Sequence, residues 1–163
     1  MKSSKIEKYL ELALKAAAAA SHELLSHLTD HNESLVIRAK RDGSLVSSVD
    51  LESHRIIEGI IAEAQIPLIS EEGVLPPFNE RKDWPLFWLV DPLDGTESYL
   101  KNRSGFAVNI ALCDSQGPFL GVIADPLAKI MYAGAVGIKP FTCSIESIAN
   151  RTPIEHQHSS APF

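Results

Sequence analysis

Apolar residues recur at helical spacing in two stretches of the chain. The first stretch covers residues 4–28, and the second begins at Ser47 or Ser48 and stops before Pro67. Apolar residues at intervals of three and four give a helix one hydrophobic face. A serine can cap the first turn of a helix, and a proline ends it. The pattern therefore predicts two amphipathic helices, each with one buried face.

Shorter apolar runs bounded by turn residues occupy the middle of the chain. They predict strands because they are short and rich in β-branched and aromatic side chains. These runs lie at residues 67–70, 87–90, 106–112, 119–124 and 130–136. The short turns between the later runs favour antiparallel pairing. The predicted fold class is α+β, with helices packed on a largely antiparallel sheet.

Two further stretches have weaker patterns. Residues 32–46 contain Asp42-Gly43, a turn signal that fits either a β-hairpin or an ordered loop. From about Lys139 the sequence turns polar and shows no sustained periodicity, which predicts a poorly packed tail. We therefore expect an N-terminal αβ domain over residues 1–138 and an irregular tail over residues 139–163.

The apolar run at residues 87–90 stops at a carboxylate and is followed by Asp91-Pro92-Leu93-Asp94-Gly95-Thr96. Proline holds the residue before it extended, and glycine permits a sharp turn. Asp91 and Asp94 are thus expected at the carboxyl end of a strand, with the Leu93 carbonyl between them. Such oxygen ligands suit Mg²⁺, whereas zinc prefers Cys or His. A plain surface turn is the alternative, since Asp-Pro and Asp-Gly both favour turns.

Other acidic residues stand where elements begin or end. Asp50 falls in the first turn of the second helix, where the helix dipole favours a negative charge, and this effect alone would explain it. Glu71-Glu72 follows the strand at residues 67–70. Adjacent carboxylates repel unless they are solvated or bound to a metal, and the sequence leaves both alternatives open.

Composition narrows the class of protein. The chain has 163 residues, 45% of them hydrophobic, and a formal net charge of −6. It is long enough for one domain with a core, and its acidity argues against a nucleic-acid partner. Cys113 and Cys143 form no CxxC motif and are expected to be reduced and buried. The alanine run at residues 16–20 is too short to cross a membrane and no signal-peptide pattern is present, so we expect no membrane partner and a cytoplasmic location.

Four features, in this order and spacing, resemble the inositol monophosphatase family of magnesium-dependent phosphatases. They are Asp50, Ser70-Glu71-Glu72, the motif at residues 91–96 and the strand at residues 106–112. The resemblance covers about residues 4–138. Within the family, the chain is most similar to the 3'(2'),5'-bisphosphate nucleotidase (CysQ-like) branch. That branch typically has lysine, an acid and phenylalanine after the Gly-Thr pair, where this chain has Glu97-Ser98-Tyr99.

The resemblance implies a set of ligands for Mg²⁺. Glu71 and Asp91 would share one metal ion, and Leu93 would contribute its backbone carbonyl. Asp94 would bind a second metal ion. Glu72 would be a further ligand or an acid beside the cluster.

The resemblance also implies catalytic and substrate-binding roles. Asp50 and Thr96 would hold and deprotonate the attacking water. The backbone N–H groups of Gly95 and Thr96 would meet the substrate phosphate.

Family members carry a later Trp-Asp motif, whose aspartate completes the metal site in a second αβ layer. Both tryptophans of this chain, Trp84 and Trp88, precede the cluster. We therefore expect the N-terminal half of a layered αβαβα fold, without the C-terminal αβ domain, and self-association through the sheet left exposed.

The implied activity is magnesium-dependent hydrolysis of a small phosphorylated metabolite. A 3'-phosphoadenosine 5'-phosphate-type nucleotide, converted to AMP and phosphate, is the first choice of substrate. An inositol monophosphate is the second. The alternative of another class is a catalytically incomplete fragment that only binds a metal or another chain.

Overall fold

A long helix and a shorter one pack beside a seven-stranded sheet. The computed structural model describes residues 3–29, 37–39 and 45–154. The helices are α1 (Ser3–Thr29) and α2 (Ser48–Ile61), and a short 3-10 turn at Ala62–Ala64 follows α2. Both predicted helices are confirmed. Within the described ranges, none of the helices combines the length and apolar character that crossing a membrane requires.

Two short strands, β1 (Ile37–Ala39) and β2 (Leu45–Ser47), pair antiparallel just before α2. Of the two alternatives for this stretch, the hairpin is the one observed. The predicted turn at Asp42-Gly43 lies outside the described residues.

The seven-stranded sheet follows chain order from one edge to the other. The first two strands pair parallel, and each later strand pairs antiparallel with the one before it. The predicted α+β class with a largely antiparallel sheet is confirmed. Two short helices, α3 (Phe78–Arg81) and α4 (Thr96–Asn102), lie in the connections on either side of the second of these strands. The strands are β3 (Leu68–Ser70), β4 (Phe87–Asp94), β5 (Ala107–Asp114), β6 (Gly117–Asp125), β7 (Ile130–Ala135), β8 (Ile138–Ser144) and β9 (Ser147–Pro153).

The core lies between α1, α2 and one face of the sheet. α1 contacts β5, β6 and β7, and its alanines at 16, 17 and 20 are fully buried, which lets the helix backbone approach the sheet closely. Trp88 of β4 is fully buried and meets the Tyr9 ring edge-on at 6.2 Å between centroids. Cys113 and Cys143 are free and buried, as predicted, and burial raises the pKa of both thiols.

Strand β4 runs four residues further than the sequence pattern predicts. Asp91 pairs with Asn109, and the next pair joins Asp94 to Ala107, so β4 carries one extra residue there. Pro92 lies inside this bulge, because it has no N–H to donate to the ladder. The central motif is therefore a bulged strand end rather than a free turn.

The prediction of an irregular tail from residue 139 is wrong over the described residues, since β8 and β9 cover most of this stretch. Phe141, Cys143 and Ile145 are buried, while Thr142 and Ser144 between them are only partly buried. This alternation was hidden by the polar residues on the other face of the sheet. Arg151 of β9 also pairs with Glu7 of α1 and lies over the Phe141 ring. Residues 155–163 lie outside the described range.

The sheet face opposite the helices keeps large apolar side chains in contact with solvent. Leu89, Ile123 and Tyr132 are 47%, 53% and 46% exposed in the described part of the chain. Leu89 and Ile123 also line a cavity of about 730 Å³ on this face. The expectation that the chain self-associates here stays a prediction.

Gly95 links the bulged end of β4 to α4 in a conformation that other residues rarely adopt. Its φ is 87°, and a Cβ at this position would lie 2.6 Å from the backbone oxygen of Gly105. We expect Gly95→Ala to lower the free energy of unfolding by about 2–4 kcal/mol, because positive φ and a backbone clash combine. Chemical denaturation measures this change.

Gly59→Ala provides the control for this prediction. Gly59 lies within α2, and a Cβ there would meet nothing within 4 Å. Alanine should stabilise this helix by about 0.5–1 kcal/mol. Equal effects of the two substitutions would contradict the constraint assigned to Gly95.

Candidate metal centre

The parallel pairing of β3 and β4 brings two carboxylates to one edge of the sheet. Ser70 is paired with Val90, and each strand continues directly into an acidic residue, Glu71 or Asp91. The Glu71 N–H donates to the Val90 carbonyl at 3.1 Å, which extends the pairing by one step. On the other side of β4, Asn109 of β5 stands opposite Asp91. The two acids predicted to share a metal ion therefore lie next to each other across the β3–β4 pair.

Burial and the concentrated charge at this edge change the protonation of Asp91. Burial, followed by the nearby charges of Glu71 and Asp94, raises the pKa of Asp91 from 3.8 to about 7. A hydrogen bond with the Glu71 carboxyl acts in the same direction, while the Leu93 N–H, which donates to Asp91 Oδ1 at 3.2 Å, opposes it. Carboxylates that repel one another and share protons are a donor set that fits a cation.

The bulge in β4 sets out the remaining predicted ligands. Asp94 is exposed, and the side-chain amide of Asn109 donates to its Oδ2 at 3.2 Å. The Leu93 side chain is 3% exposed, which anchors the backbone of the motif in the core. The Leu93 carbonyl accepts from the Thr96 hydroxyl at 3.1 Å. Oxygen atoms of the side chain and main chain are thus presented within four consecutive residues.

Asp50 does more than complement the dipole of α2. It is fully buried, and its Oδ1 accepts from the Thr96 hydroxyl at 2.8 Å. Its Oδ2 accepts from the backbone N–H of Ser47 at 2.8 Å and also from the Ser47 hydroxyl. A buried carboxylate needs such donors, and they hold both oxygens in place. The structure joins Asp50 to Thr96, which the sequence separates by 46 positions.

The residues after Thr96 point away from this cluster. Glu97 is exposed and pairs with Lys101 one turn later on α4, and this lysine lowers the pKa of Glu97. Tyr99 is buried and donates its hydroxyl to the Leu24 carbonyl of α1 at 2.9 Å. Burial raises the pKa of Tyr99 to about 12, so the phenol stays neutral. Glu97 and Tyr99, which depart from the CysQ-like pattern, therefore lie on the sides of α4 that face solvent and α1.

Glu72 lies apart from Glu71. It lines a separate cavity of about 360 Å³ together with His54, Glu58 and Gly73. Glu71 and Asp91 instead line the larger cavity on the open face of the sheet. The two neighbouring glutamates thus face different spaces, and a role for Glu72 stays a prediction.

A second group of potential ligands was missed in the sequence. Nε2 of His27 lies 3.1 Å from Glu23 Oε1 on α1 and 2.8 Å from Glu52 Oε2 on α2. Among the described residues, this is the group of three acid or imidazole side chains whose ligand atoms all fall within 4.8 Å of one another. The carboxylates at the ends of β3 and β4 do not meet that spacing. Glu23 and His27 share a helix face, but nothing in the sequence indicates that Glu52 joins them.

Comparison with known proteins places these residues in a family. A model of the inositol monophosphatase family matches residues 5–161. The 3'(2'),5'-bisphosphate nucleotidase CysQ of Shigella flexneri is 38% identical over 117 residues, which are 71% of this chain and 47% of that protein. CysQ of Salmonella typhimurium is 37% identical over 134 residues, 81% of this chain and 52% of that protein. The chain spans about half the length of the curated relatives it matches.

Solved structures show the same relation. CysQ from Bacteroides thetaiotaomicron superposes with a TM-score of 0.72 at 34% identity, covering 83% of this chain and 48% of that one. The inositol monophosphatase from Anabaena (Nostoc) sp. PCC 7120 gives a TM-score of 0.71 at 29% identity, covering 94% of this chain and 51% of that one. The order of the acidic motifs, the fold that brings them together and these matches agree, and the chain belongs to the inositol monophosphatase family.

Proposed function

We propose that this chain forms the metal-binding half of a magnesium-dependent phosphomonoesterase. The observation that carries the proposal is the 2.8 Å hydrogen bond from Thr96 to the buried Asp50. The same hydroxyl lies 3.1 Å from the carbonyl of Leu93, within the motif that carries Asp91 and Asp94. A proton acceptor thereby stands next to a cluster suited to a cation, as phosphoryl transfer to water requires.

Mg²⁺ would be held by oxygen atoms of the β3 and β4 ends. Glu71 and Asp91 lie side by side, the Leu93 carbonyl follows, and Asp94 would hold a second ion. When bound, Mg²⁺ lowers the pKa of water and offsets negative charge on the phosphoryl group. The raised pKa of Asp91 supports this assignment, because it reflects burial of the carboxyl and the nearby negative charges of Glu71 and Asp94. Glu72 would be a further ligand or an acid beside the metal ions.

Asp50 and Thr96 would activate the attacking water. The Thr96 hydroxyl accepts the water proton as its own proton passes to Asp50 Oδ1. The water oxygen forms the new bond to phosphorus, and the ester oxygen leaves with the electrons of the broken P–O bond and takes a proton from solvent. The backbone N–H groups of Gly95 and Thr96, at the start of α4, would face the phosphate oxygens.

A 3'-phosphoadenosine 5'-phosphate-type nucleotide is the proposed substrate, with AMP and phosphate as products. The curated relatives at 37–38% identity carry the name 3'(2'),5'-bisphosphate nucleotidase. The ion pair between Glu97 and Lys101 also reduces the repulsion that Glu97 would exert on a doubly phosphorylated anion. An inositol monophosphate is the second candidate, supported by the inositol monophosphatase among the similar structures. The proposed location is cytoplasmic.

The alternative to an enzyme is a catalytically incomplete module that only binds a metal ion or another chain. It is favoured by the apolar side chains that the open sheet face leaves exposed, among them Leu89, Ile123 and Tyr132. In this case the cluster binds a metal ion, and the open sheet face binds another chain.

Magnesium titration combined with a phosphate-release assay tests the proposal. Asp91→Asn should weaken Mg²⁺ binding by about tenfold or more, because it removes a charged ligand. Asp83→Asn in the exposed loop before β4 is the matched control and should bind like wild type.

Wild type with Mg²⁺ should release phosphate from 3'-phosphoadenosine 5'-phosphate faster than from inositol 1-phosphate. Asp50→Asn should lower that rate by about 100-fold or more.

Three experimental outcomes distinguish the proposed enzyme and substrate from the alternatives. Equal Mg²⁺ affinity in wild type and Asp91→Asn would contradict the metal assignment. Faster release from inositol 1-phosphate would reverse the choice of substrate. Metal binding without phosphate release from either compound would favour the incomplete module.

Asp91 also makes the stability of the metal-free chain depend on pH. Its folded pKa of about 7 lies above the ordinary value of 3.8, so between these values the folded chain keeps a proton that the unfolded chain releases. Stability should therefore fall as pH rises from about 4 to about 7, and the loss is complete above that range. Asp91→Asn should flatten this dependence, which thermal unfolding at several pH values measures. Identical pH curves for Asp91→Asn and Asp83→Asn would show that Asp91 is not the group responsible.

A further inference from the structure

One face of α2 reaches three separate segments of the metal centre. Asp50, Ser53 and His54 are spaced three and four residues apart, so they project from the same side of the helix. Asp50 accepts from Thr96 at the start of α4. The other two contact the ends of β4 and β3. All three segments that form the site therefore have α2 as a common support.

Ser53 fixes the bulge in β4. Its side chain is fully buried, and its hydroxyl donates to the Pro92 carbonyl at 2.7 Å. Pro92 lies between Asp91 and Leu93, the residue whose carbonyl is a predicted ligand. Because the Pro92 carbonyl is held toward α2, the peptide plane that joins Pro92 to Leu93 is fixed in orientation. The residue that carries the predicted carbonyl ligand is thus attached to a restrained peptide.

His54 fixes the turn that carries the glutamate pair. Its Nδ1 lies 2.8 Å from the hydroxyl of Ser70, the last residue of β3. The Ser70 carbonyl accepts from the Gly73 N–H at 3.1 Å and closes the turn around Glu71 and Glu72. The imidazole also packs against this turn, since a Cβ on Gly73 would lie 3.5 Å from its Cε1. One side chain of α2 thereby holds both ends of the turn.

We propose that Ser53 and His54 are positioning residues that fix the two carboxylate arms of the metal centre relative to Asp50. The inference rests on the metal-binding part of the proposed function. Neither residue is placed on the metal or the substrate. Carboxylates of like charge separate unless their backbone is restrained, and groups that hold ligands in place contribute strongly to metal affinity.

Four substitutions test the two contacts. His54→Leu and Ser70→Ala each remove the contact between α2 and β3, and Ser53→Ala removes the contact to Pro92. His54→Asn keeps a hydrogen-bonding nitrogen close to the position of Nδ1 and should rescue binding. His22→Leu on α1 is the matched control, since His22 is half exposed and distant in sequence from the site.

The first readout is amide hydrogen exchange in the metal-free chain. His54→Leu and Ser70→Ala should speed exchange at Glu71 and Gly73, whose N–H groups bond Val90 and Ser70. Ser53→Ala should act on Leu93 instead, whose N–H bonds Asp91. Amides in the middle of α1 should not change. Unchanged exchange at these sites in the three variants would overturn the proposal.

The second readout is Mg²⁺ affinity by calorimetry. His54→Leu and Ser70→Ala should each weaken binding about tenfold. Their combination should weaken it no further, because both remove the same contact. His54→Asn and His22→Leu should stay within about twofold of wild type.

The two readouts separate this inference from the proposed function. A wild-type chain that binds no Mg²⁺, with exchange altered as expected, contradicts the function and supports the positioning role. Wild-type Mg²⁺ binding that His54→Leu and Ser70→Ala leave unchanged overturns the positioning role. The positioning role is also overturned if His54→Leu weakens Mg²⁺ binding and Ser70→Ala does not. The size of the side chain at position 54, rather than its hydrogen bond with Ser70, would then be responsible.

Discussion

Repulsion between carboxylates at the ends of two parallel strands is the constraint on which the site depends. Glu71 follows directly on β3, Asp91 lies beside it in β4, and Asp94 adds a third charge at the other side of the bulge. Burial and the nearby charges of Glu71 and Asp94 raise the pKa of Asp91 to about 7. A protein keeps such an arrangement at a cost in stability, which a bound cation offsets.

The elements around the cluster restrain it from three sides. Parallel pairing sets the register of the two arms, and the bulge at Pro92 displaces Asp94 from Asp91 by one extra residue. Gly95 then turns the chain so closely past Gly105 that a Cβ would not fit. On the remaining side, α2 holds the arms through hydrogen bonds from Ser53 and His54. The backbone and the contacts of α2 thus impose a geometry that the charges of the carboxylates oppose.

The sequence predicts the elements whose periodicity is local. Both long helices and the strands from β3 to β7 follow from apolar spacing. The motif at residues 91–96 indicates a candidate metal centre because its predicted ligands are close in sequence. Strands β8 and β9 were missed because polar residues on the open sheet face mask the alternation that buries Phe141 and Cys143. The contacts of His27 and His54 could not be predicted, since each joins elements that only the fold brings together. The extent of β4 was underestimated because Pro92 suggested a turn, whereas the pairing resumes beyond the bulge.

Among the residues that the structure describes, two groups could compete for a divalent ion, and the group that binds it decides the central claim. One is the cluster of Glu71, Asp91 and Asp94, and the other joins Glu23, His27 and Glu52 across α1 and α2. The most direct test is anomalous scattering from crystals soaked in Mn²⁺, which replaces Mg²⁺ at oxygen-rich sites. We expect a peak between Glu71, Asp91 and the Leu93 carbonyl. A peak confined to His27 and its two glutamates would contradict the assignment of the metal centre.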